Sequence, residues 1–317
     1  MKKTASVLFA SVLAIPALAI YFADPLTTMQ LEAIRATVTI YIAVALLCFL
    51  ISEITKNYSQ VDKLWSILPI FHAWNMASIG NFNERAVLMA SLVTIWGVRL
   101  TLNFARRGGY SWKFWEGEED YRWTILKEKM NFKQGWVWSL FNLFFISLYQ
   151  MGLLLIMTYP MLFVLEGGNE LGGLDLIAAT LMLGFIVYET IADNQQWNFH
   201  LEKHAFMNST GKSGHDFEGG FNQRGLWNLS RHPNYFAEQS IWVTFYLFSV
   251  AATGEWLNWT ITGAVLILML FQGSSNFSEE ITASKYPEYA SYQARTSRFI
   301  PNISKLFRSR NKMALKV

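Results

Sequence analysis

The sequence contains one cysteine in 317 residues, Cys48, which excludes an intrachain disulfide and a cysteine-based metal site. Charge is scarce as well, with Asp, Glu, Lys and Arg making up 15% of the chain, against roughly 25% in a soluble domain. The five histidines are too few for the histidine-rich di-iron sites of membrane desaturases and hydroxylases. No serine sits in a nucleophile-elbow pattern, so a Ser-His-Asp triad is not indicated. Gly211-Lys212-Ser213 ends like a phosphate loop, yet Phe206 stands where the earlier glycine is required, which excludes a Walker motif. The net charge of +3 is small, and its basic residues lie in loops and in the tail from Lys305 to Lys316, where anionic lipid headgroups attract them. Nothing beyond those charges points to nucleic acid.

What the chain has in abundance is apolar sequence. Hydrophobic residues make up 52% of it and aromatics 16%. Apolar runs of about 17 to 25 residues, long enough to cross hydrocarbon as helices, recur along its length. The spans are expected near Val7 to Phe22, Ala36 to Ile51, Leu64 to Ile79, Ala86 to Phe104, Trp136 to Leu165, Leu174 to Ala192, Tyr235 to Ala252 and Trp256 to Gln272. Alternating polarity is absent and an unpaired backbone cannot sit in lipid, so the spans are helical. The expected fold is all-α: a polytopic transmembrane bundle of seven or eight spans forming one integral domain over residues 1–317.

Short cytoplasmic loops retain Lys and Arg, which allows the topology to be tested. One set of connections carries Lys2 and Lys3, then Lys56 and Lys63, then seven basic residues from Arg106 to Lys133, then Lys203, Lys212, Arg224 and Arg231, then eight from Lys285 to Lys316. The opposite set holds only Arg35 and Arg85. The protein is therefore expected in a membrane, such as a bacterial inner membrane, with both termini and the long loops Ala105 to Gly135 and Asp193 to Asn234 in the cytoplasm. Alternatively, Lys2-Lys3, the apolar run after it and Ala17-Leu18-Ala19 form a cleaved signal peptide, leaving seven spans.

Chemistry concentrates between Gly225 and Glu238, where the chain reads GLWNLSRHPNYFAE and then enters a span. Arg231, His232 and Asn234 are donors suited to phosphate, ribose or carboxamide groups. Pro233 fixes its own φ and biases His232 away from helix, so these donors can converge in a turn before the helix begins. Glu238 falls one turn after Asn234 on the same face, where a carboxylate in the membrane region is costly without a partner. A plain membrane anchor needs Arg231, His232 and the aromatic pair Tyr235 and Phe236, but not a polar face that continues inward. Glu189 and Asp193, four apart, form a second acidic pair near the end of a span. His200 and His204 lie one turn apart, with no third metal ligand in view, and are read as solvated or phosphate-facing.

These residues resemble those of the steroid 5α-reductase superfamily, particularly its bacterial branch, with sterol reductases as more distant relatives. The resemblance rests on Arg231-His232-Pro233-Asn234-Tyr235-Phe236 together with Val61-Asp62-Lys63-Leu64-Trp65, Trp96-Gly97-Val98-Arg99-Leu100, Glu119-Asp120-Tyr121-Arg122-Trp123, Ala192-Asp193-Asn194-Gln195 and the ending from Lys285-Tyr286 through Tyr292 to Phe299-Ile300-Pro301. It implies a membrane bundle that encloses NADPH from the cytoplasmic side and reduces a carbon-carbon double bond conjugated to a carbonyl in a lipid-like substrate. The cofactor region would be about 185–301, with cofactor contacts at Arg99, Arg107, Asp193, Arg231, His232, Asn234, Tyr235 and Glu238. Tyr235 and Glu238 would also serve catalysis. In the eukaryotic members a glutamate and a tyrosine polarise the ketone. Here Trp96 stands at the tyrosine position, and Asp62, an acid at the mouth of a span, is the candidate replacement for the glutamate. The other reading of Asp62 is a helix N-terminal acid favoured by the dipole and paired with Lys63.

Two rival readings remain. Isoprenylcysteine-type membrane methyltransferases also have a cytoplasmic Arg-His-Pro-x-Tyr turn but use S-adenosylmethionine; Asn234 and Glu238 favour the reductases, although Ala237 replaces their usual glycine. The third reading is a lipid-binding membrane protein without catalysis.

Overall fold

The computed structural model describes residues 25–113, 117–130, 134–167, 170–210 and 220–305, together with 10, 11, 14, 15 and 17–21 near the N-terminus. Seven of the 16 residues of the span expected at Val7 to Phe22 therefore lie outside the described residues, and the nine described are helical. Among the described residues the regular secondary structure is helical, apart from an isolated parallel bridge between Ser230 and Ser297.

The helices are α1 (Thr28–Thr55), α2 (Gln60–Leu64), α3 (Leu68–Ile79), α4 (Glu84–Ala105), α5 (Tyr121–Lys129), α6 (Gly135–Phe141), α7 (Gln150–Ile156), α8 (Gly173–Thr210), α9 (Leu226–Leu229), α10 (Pro233–Thr253), α11 (Ile261–Lys285) and α12 (Tyr289–Arg295). A π-helical segment, Asn142–Tyr149, joins α6 to α7, and a 3-10 helix, Tyr159–Val164, follows them. Among the described residues, five stretches are long and apolar enough to cross a membrane: α1, α4, the composite Gly135–Val164, α8 and α11. The chain is a multi-pass membrane protein.

Local chemistry explains where these helices depart from the expected spans. Thr27 and Gln30 form a reciprocal capping box that starts α1 at Thr28, well before Ala36. The run Leu64 to Ile79 contains a break before Pro69, leaving α3 with 12 residues, or about 18 Å of rise, short of the roughly 30 Å hydrocarbon thickness. Asn258 accepts from Thr260 N at 3.2 Å and from its hydroxyl at 2.6 Å, which holds the chain in a turn and delays α11 to Ile261 rather than Trp256. The expected loop from Asp193 is instead helix as far as Thr210: α8 has 38 residues, about 57 Å of rise. Neither proline nor glycine interrupts the chain from Phe185 to Thr210, so polarity changes there without a backbone stop.

The described chain divides into two compact units, Met1–Leu183 with Trp242–Leu270, and Gly184–Ile241 with Phe271–Val317. In the first, α3 packs on α1, α4 and α7, and the π segment packs on α1. Gly97 permits the close approach of α4 to the chain before α3: a Cβ there would lie 2.5 Å from Ser66 O. Trp96 is wholly buried and meets Trp242 edge to face at 4.9 Å, which makes it a core residue of this unit. At the end of the bundle where α4 begins, Arg85 donates from Nε to Asp175 Oδ1 at 2.8 Å and from Nη2 to Oδ2 at 2.9 Å, and the amide of Gly172 also donates to Asp175. Both ionised groups are almost fully buried, and the bidentate geometry offsets much of their desolvation.

In the second unit the C-terminal segment grips the Arg-His-Pro turn. Arg231 N donates to Ser297 O at 2.9 Å, His232 N to Arg298 O at 3.0 Å and Asn302 N to Leu229 O at 2.9 Å. Trp227 Nε1 donates to Ala192 O at 3.0 Å, and the Tyr292 hydroxyl to Trp227 O. Gly225 adopts φ +58°, and its missing Cβ leaves room for Gln195, whose Oε1 accepts from Leu226 N at 2.8 Å. The Gln195 and Tyr292 motif residues therefore fix the approach to the turn.

Candidate functional site

The turn ends where Pro233 opens α10, the position at which a missing N–H is harmless. From there Asn234 reaches back to α8: its Nδ2 donates to Asp193 Oδ1 at 3.2 Å, joining residues 41 apart in sequence. Glu238 lies one turn along α10 from Asn234 and is buried, as are Asp193 and Glu189 on α8. Tyr235 follows with its ring stacked on His232 at 5.1 Å and inclined against Phe271 at 4.6 Å. Phe236 packs edge-on against Phe185 and Tyr188 of α8. A polar set of one amide, buried acids and an oriented phenol thus stands among aromatic side chains within a single unit.

Arg231 and His232 lie in the same unit, and both are turned toward Glu279 of α11. Arg231 Nε donates to Glu279 Oε1 at 2.7 Å and Nη2 to Oε2 at 3.2 Å, while Nη1 donates to the carbonyls of Gln293, at 3.1 Å, and Thr296. His232 Nε2 lies 3.0 Å from Glu279 Oε1, and Gln293 Nε2 donates to Oε2 at 2.8 Å. Arg298 is 3.7 Å from the same carboxylate. This network commits much of the guanidinium to the protein, so Arg231 builds the turn that presents Asn234. Glu279 was not singled out from sequence. One signal points to it: the need of a buried arginine for a counter-charge.

The remaining sequence candidates belong to the first unit. Asp62, on α2, accepts from Trp123 Nε1 at 3.1 Å. Burial, reinforced by neighbouring Asp120, pushes its carboxyl above the ordinary range. Glu119 Oε1 accepts from Tyr58 N at 2.7 Å, and Asp120 N donates to Ser59 Oγ at 2.9 Å. The Glu119–Trp123 motif is therefore clamped onto the Asp62 segment, and Arg122 pairs with Asp120 at 2.6 Å. Lys63 turns to Gln60 Oε1 at 3.2 Å. Arg99 is half-buried on α4, whereas Arg107 is exposed just beyond its end. His200 and His204 stand in α8 with ring centroids 6.5 Å apart, and no group of three His, Cys, Asp or Glu positioned to hold a metal occurs among the described residues.

Comparison with known proteins places the chain in one family. The family described as protein of unknown function (DUF1295) matches residues 48–296. An uncharacterized protein of Schizosaccharomyces pombe is 38% identical over 265 residues, covering 80% of this chain and 75% of the relative. No solved structure matches.

Proposed function

We propose that this chain, which belongs to the DUF1295 family, is a membrane-embedded reductase that uses NADPH to saturate the carbon-carbon double bond of an enone in a lipid-like substrate. The observation that carries this reading is the Asn234 Nδ2 to Asp193 Oδ1 contact at 3.2 Å, with buried Glu238 one turn further along α10. The resemblance to the steroid 5α-reductase superfamily gives all three residues to the cofactor, and the contact joins two of them from separate helices. Their chemistry fits that cofactor: carboxylate and amide oxygens accept from ribose hydroxyls and carboxamide N–H groups, and burial strengthens each such bond.

Asp193, Asn234 and Glu238 would hold the nicotinamide end, which when bound supplies hydride. Glu279 fixes Arg231 and His232, and His232 in turn fixes the plane of Tyr235. The Tyr235 phenol is the group we assign to proton donation toward the substrate, because a developing enolate oxygen needs a positioned donor in a site closed to water. Asp62 is the second candidate for that role. Phe185 and Phe236 meet edge to face beside this set, and Phe271 packs on Tyr235. Cytoplasmic entry, both termini on that side and residence in a bacterial inner membrane complete the proposal.

Titrating the purified full chain with NADPH, NADH and S-adenosylmethionine, with tryptophan fluorescence as the readout, tests it. Saturable NADPH binding is expected, weakened about tenfold or more in Asn234→Ala as buried polar groups lose their partner, with the helical circular dichroism unchanged. Saturation by S-adenosylmethionine alone would support the methyltransferase reading instead, and no response to any of the three would support a lipid-binding protein.

A further inference from the structure

Helix α3 carries His72 and Asn75 within the first unit. His72 is 0% exposed, neither of its ring nitrogens has a hydrogen-bond partner among the described residues, and Asn75 Oδ1 is likewise buried without one. Residues three apart on a helix are neighbours, with Cβ atoms about 5–6 Å apart, so these polar atoms share one region of the helix surface. Around them the helix buries Ala73, Met76 and Ala77, none of which offers a polar group. Unsatisfied polar atoms at this depth are costly in any protein and more so in a bilayer, where no bulk water reaches them. Two on adjacent positions call for a ligand that supplies what they lack.

The donor and acceptor inventory narrows its chemistry. A neutral imidazole offers one N–H and one lone pair, and an amide oxygen only accepts. A ketone or a carboxylate can accept from the imidazole N–H but leaves Asn75 Oδ1 empty. An ammonium can donate to both lone pairs but brings a charge that no residue of this helix neutralises, which is costly at this depth. A hydroxyl pairs two of the three atoms without charge, accepting from the ring N–H and donating to the amide oxygen. Phe71, one turn before Asn75 on the same face of the helix, is 63% exposed, and Asn75 itself is half-buried. In a membrane protein such a face meets lipid, so the ligand arrives from the bilayer with an apolar body. We infer that His72 and Asn75 form a hydroxyl-recognition position for a lipid-like alcohol. It is a binding site in its own right and does not rest on the reductase reading.

The test uses the full chain in detergent, its thermal midpoint followed by tryptophan fluorescence, with 1-dodecanol and dodecane as probes and water as the competing source of a hydroxyl. Without added ligand, His72→Leu and Asn75→Leu should each raise the midpoint, because each removes an unsatisfied polar group. Dodecanol should raise the midpoint of the unsubstituted chain saturably and dodecane should not, with affinity falling about tenfold or more in either variant. His72→Gln, which keeps a donor and an acceptor, should retain dodecanol binding. A lower midpoint in the ligand-free leucine variants would mean that a resident water already satisfies the pair, and the proposal fails. It fails equally if the alcohol and the alkane act alike, if dodecanol acts unchanged on the double variant, or if dodecanol has no effect on the unsubstituted chain.

Discussion

Buried polarity is handled in opposite ways around Glu279, in the second unit, and around His72, in the first. In the second, Glu279 alone gathers Arg231, His232 and Gln293, and the backbone of the C-terminal segment closes over the same turn. In the first, the Arg85 and Asp175 pair is satisfied in the same manner, but the interior also contains His72, Asn75, Ser147 and Tyr149, each with a buried polar atom that has no hydrogen-bond partner among the described residues. Partnered charges of the first kind fix a conformation, because breaking one leaves the others buried and uncompensated. Unpartnered groups of the second kind lower stability unless something supplies the missing bond. A polar residue's membership in a buried site thus says little about its role until its hydrogen bonds have been traced.

The largest expected effect comes from breaking the partnered side. Glu279→Ala removes the acceptor from Arg231, His232 and Gln293 together, and should cost about 3–5 kcal/mol, as expected for an uncompensated buried charge. The thermal midpoint should fall and NADPH binding should be lost with it. Replacing Asp175 by Ala in the first unit should cost a similar amount while leaving any cofactor affinity of the residual folded protein unchanged. Equal loss of affinity from both would erase the functional distinction between the regions. A smaller effect is expected from Tyr292→Phe, which removes a single buried hydroxyl donated to Trp227 O. It should cost about 1 kcal/mol, read as a modest fall in midpoint with the binding of nucleotide retained.

Part of this contrast was legible in the sequence. Membrane helices follow from run length and apolarity alone, and α1, α4, α8 and α11 overlap runs picked on that basis. The pairing of Asn234 with Asp193 was approached through motif order, since 41 intervening residues carry no periodic signal that could join them. Run length and apolarity do not reach Glu279: it lies beyond the expected end at Gln272, in a helix that continues to Lys285 through Gly273, Ser274, Ser275 and Asn276, residues of middling or low helix propensity. The π-helical segment was equally unreadable, because Asn142–Tyr149 has the composition of an ordinary apolar helix. Its change of hydrogen-bond register leaves no mark on hydropathy. Trp96 was marked from sequence as a substitution at a catalytic position, and its burial against Trp242 gives that substitution a packing role.

The smallest expected effect is also the one that best separates the two candidate proton donors. Asp62 is held above its ordinary value of 3.8 by burial and by Asp120, against the opposing hydrogen bond from Trp123. A carboxyl whose folded value is raised binds more protons in the folded state than in the unfolded one. Stability therefore falls as pH rises from the ordinary value through the raised one, and the cost is complete above it. Asp62→Asn abolishes that titration, so its stability should be flatter across this window than that of the unsubstituted chain, with the midpoint at neutral pH no lower. If Tyr235 is the donor, this variant should keep its reductase activity on an enone, whereas Tyr235→Phe should lose about a hundredfold or more, the ordinary contribution of a positioned general acid. If Asp62→Asn suffers the larger loss of activity instead, proton donation belongs to Asp62, and the functional chemistry is no longer confined to residues of the second unit.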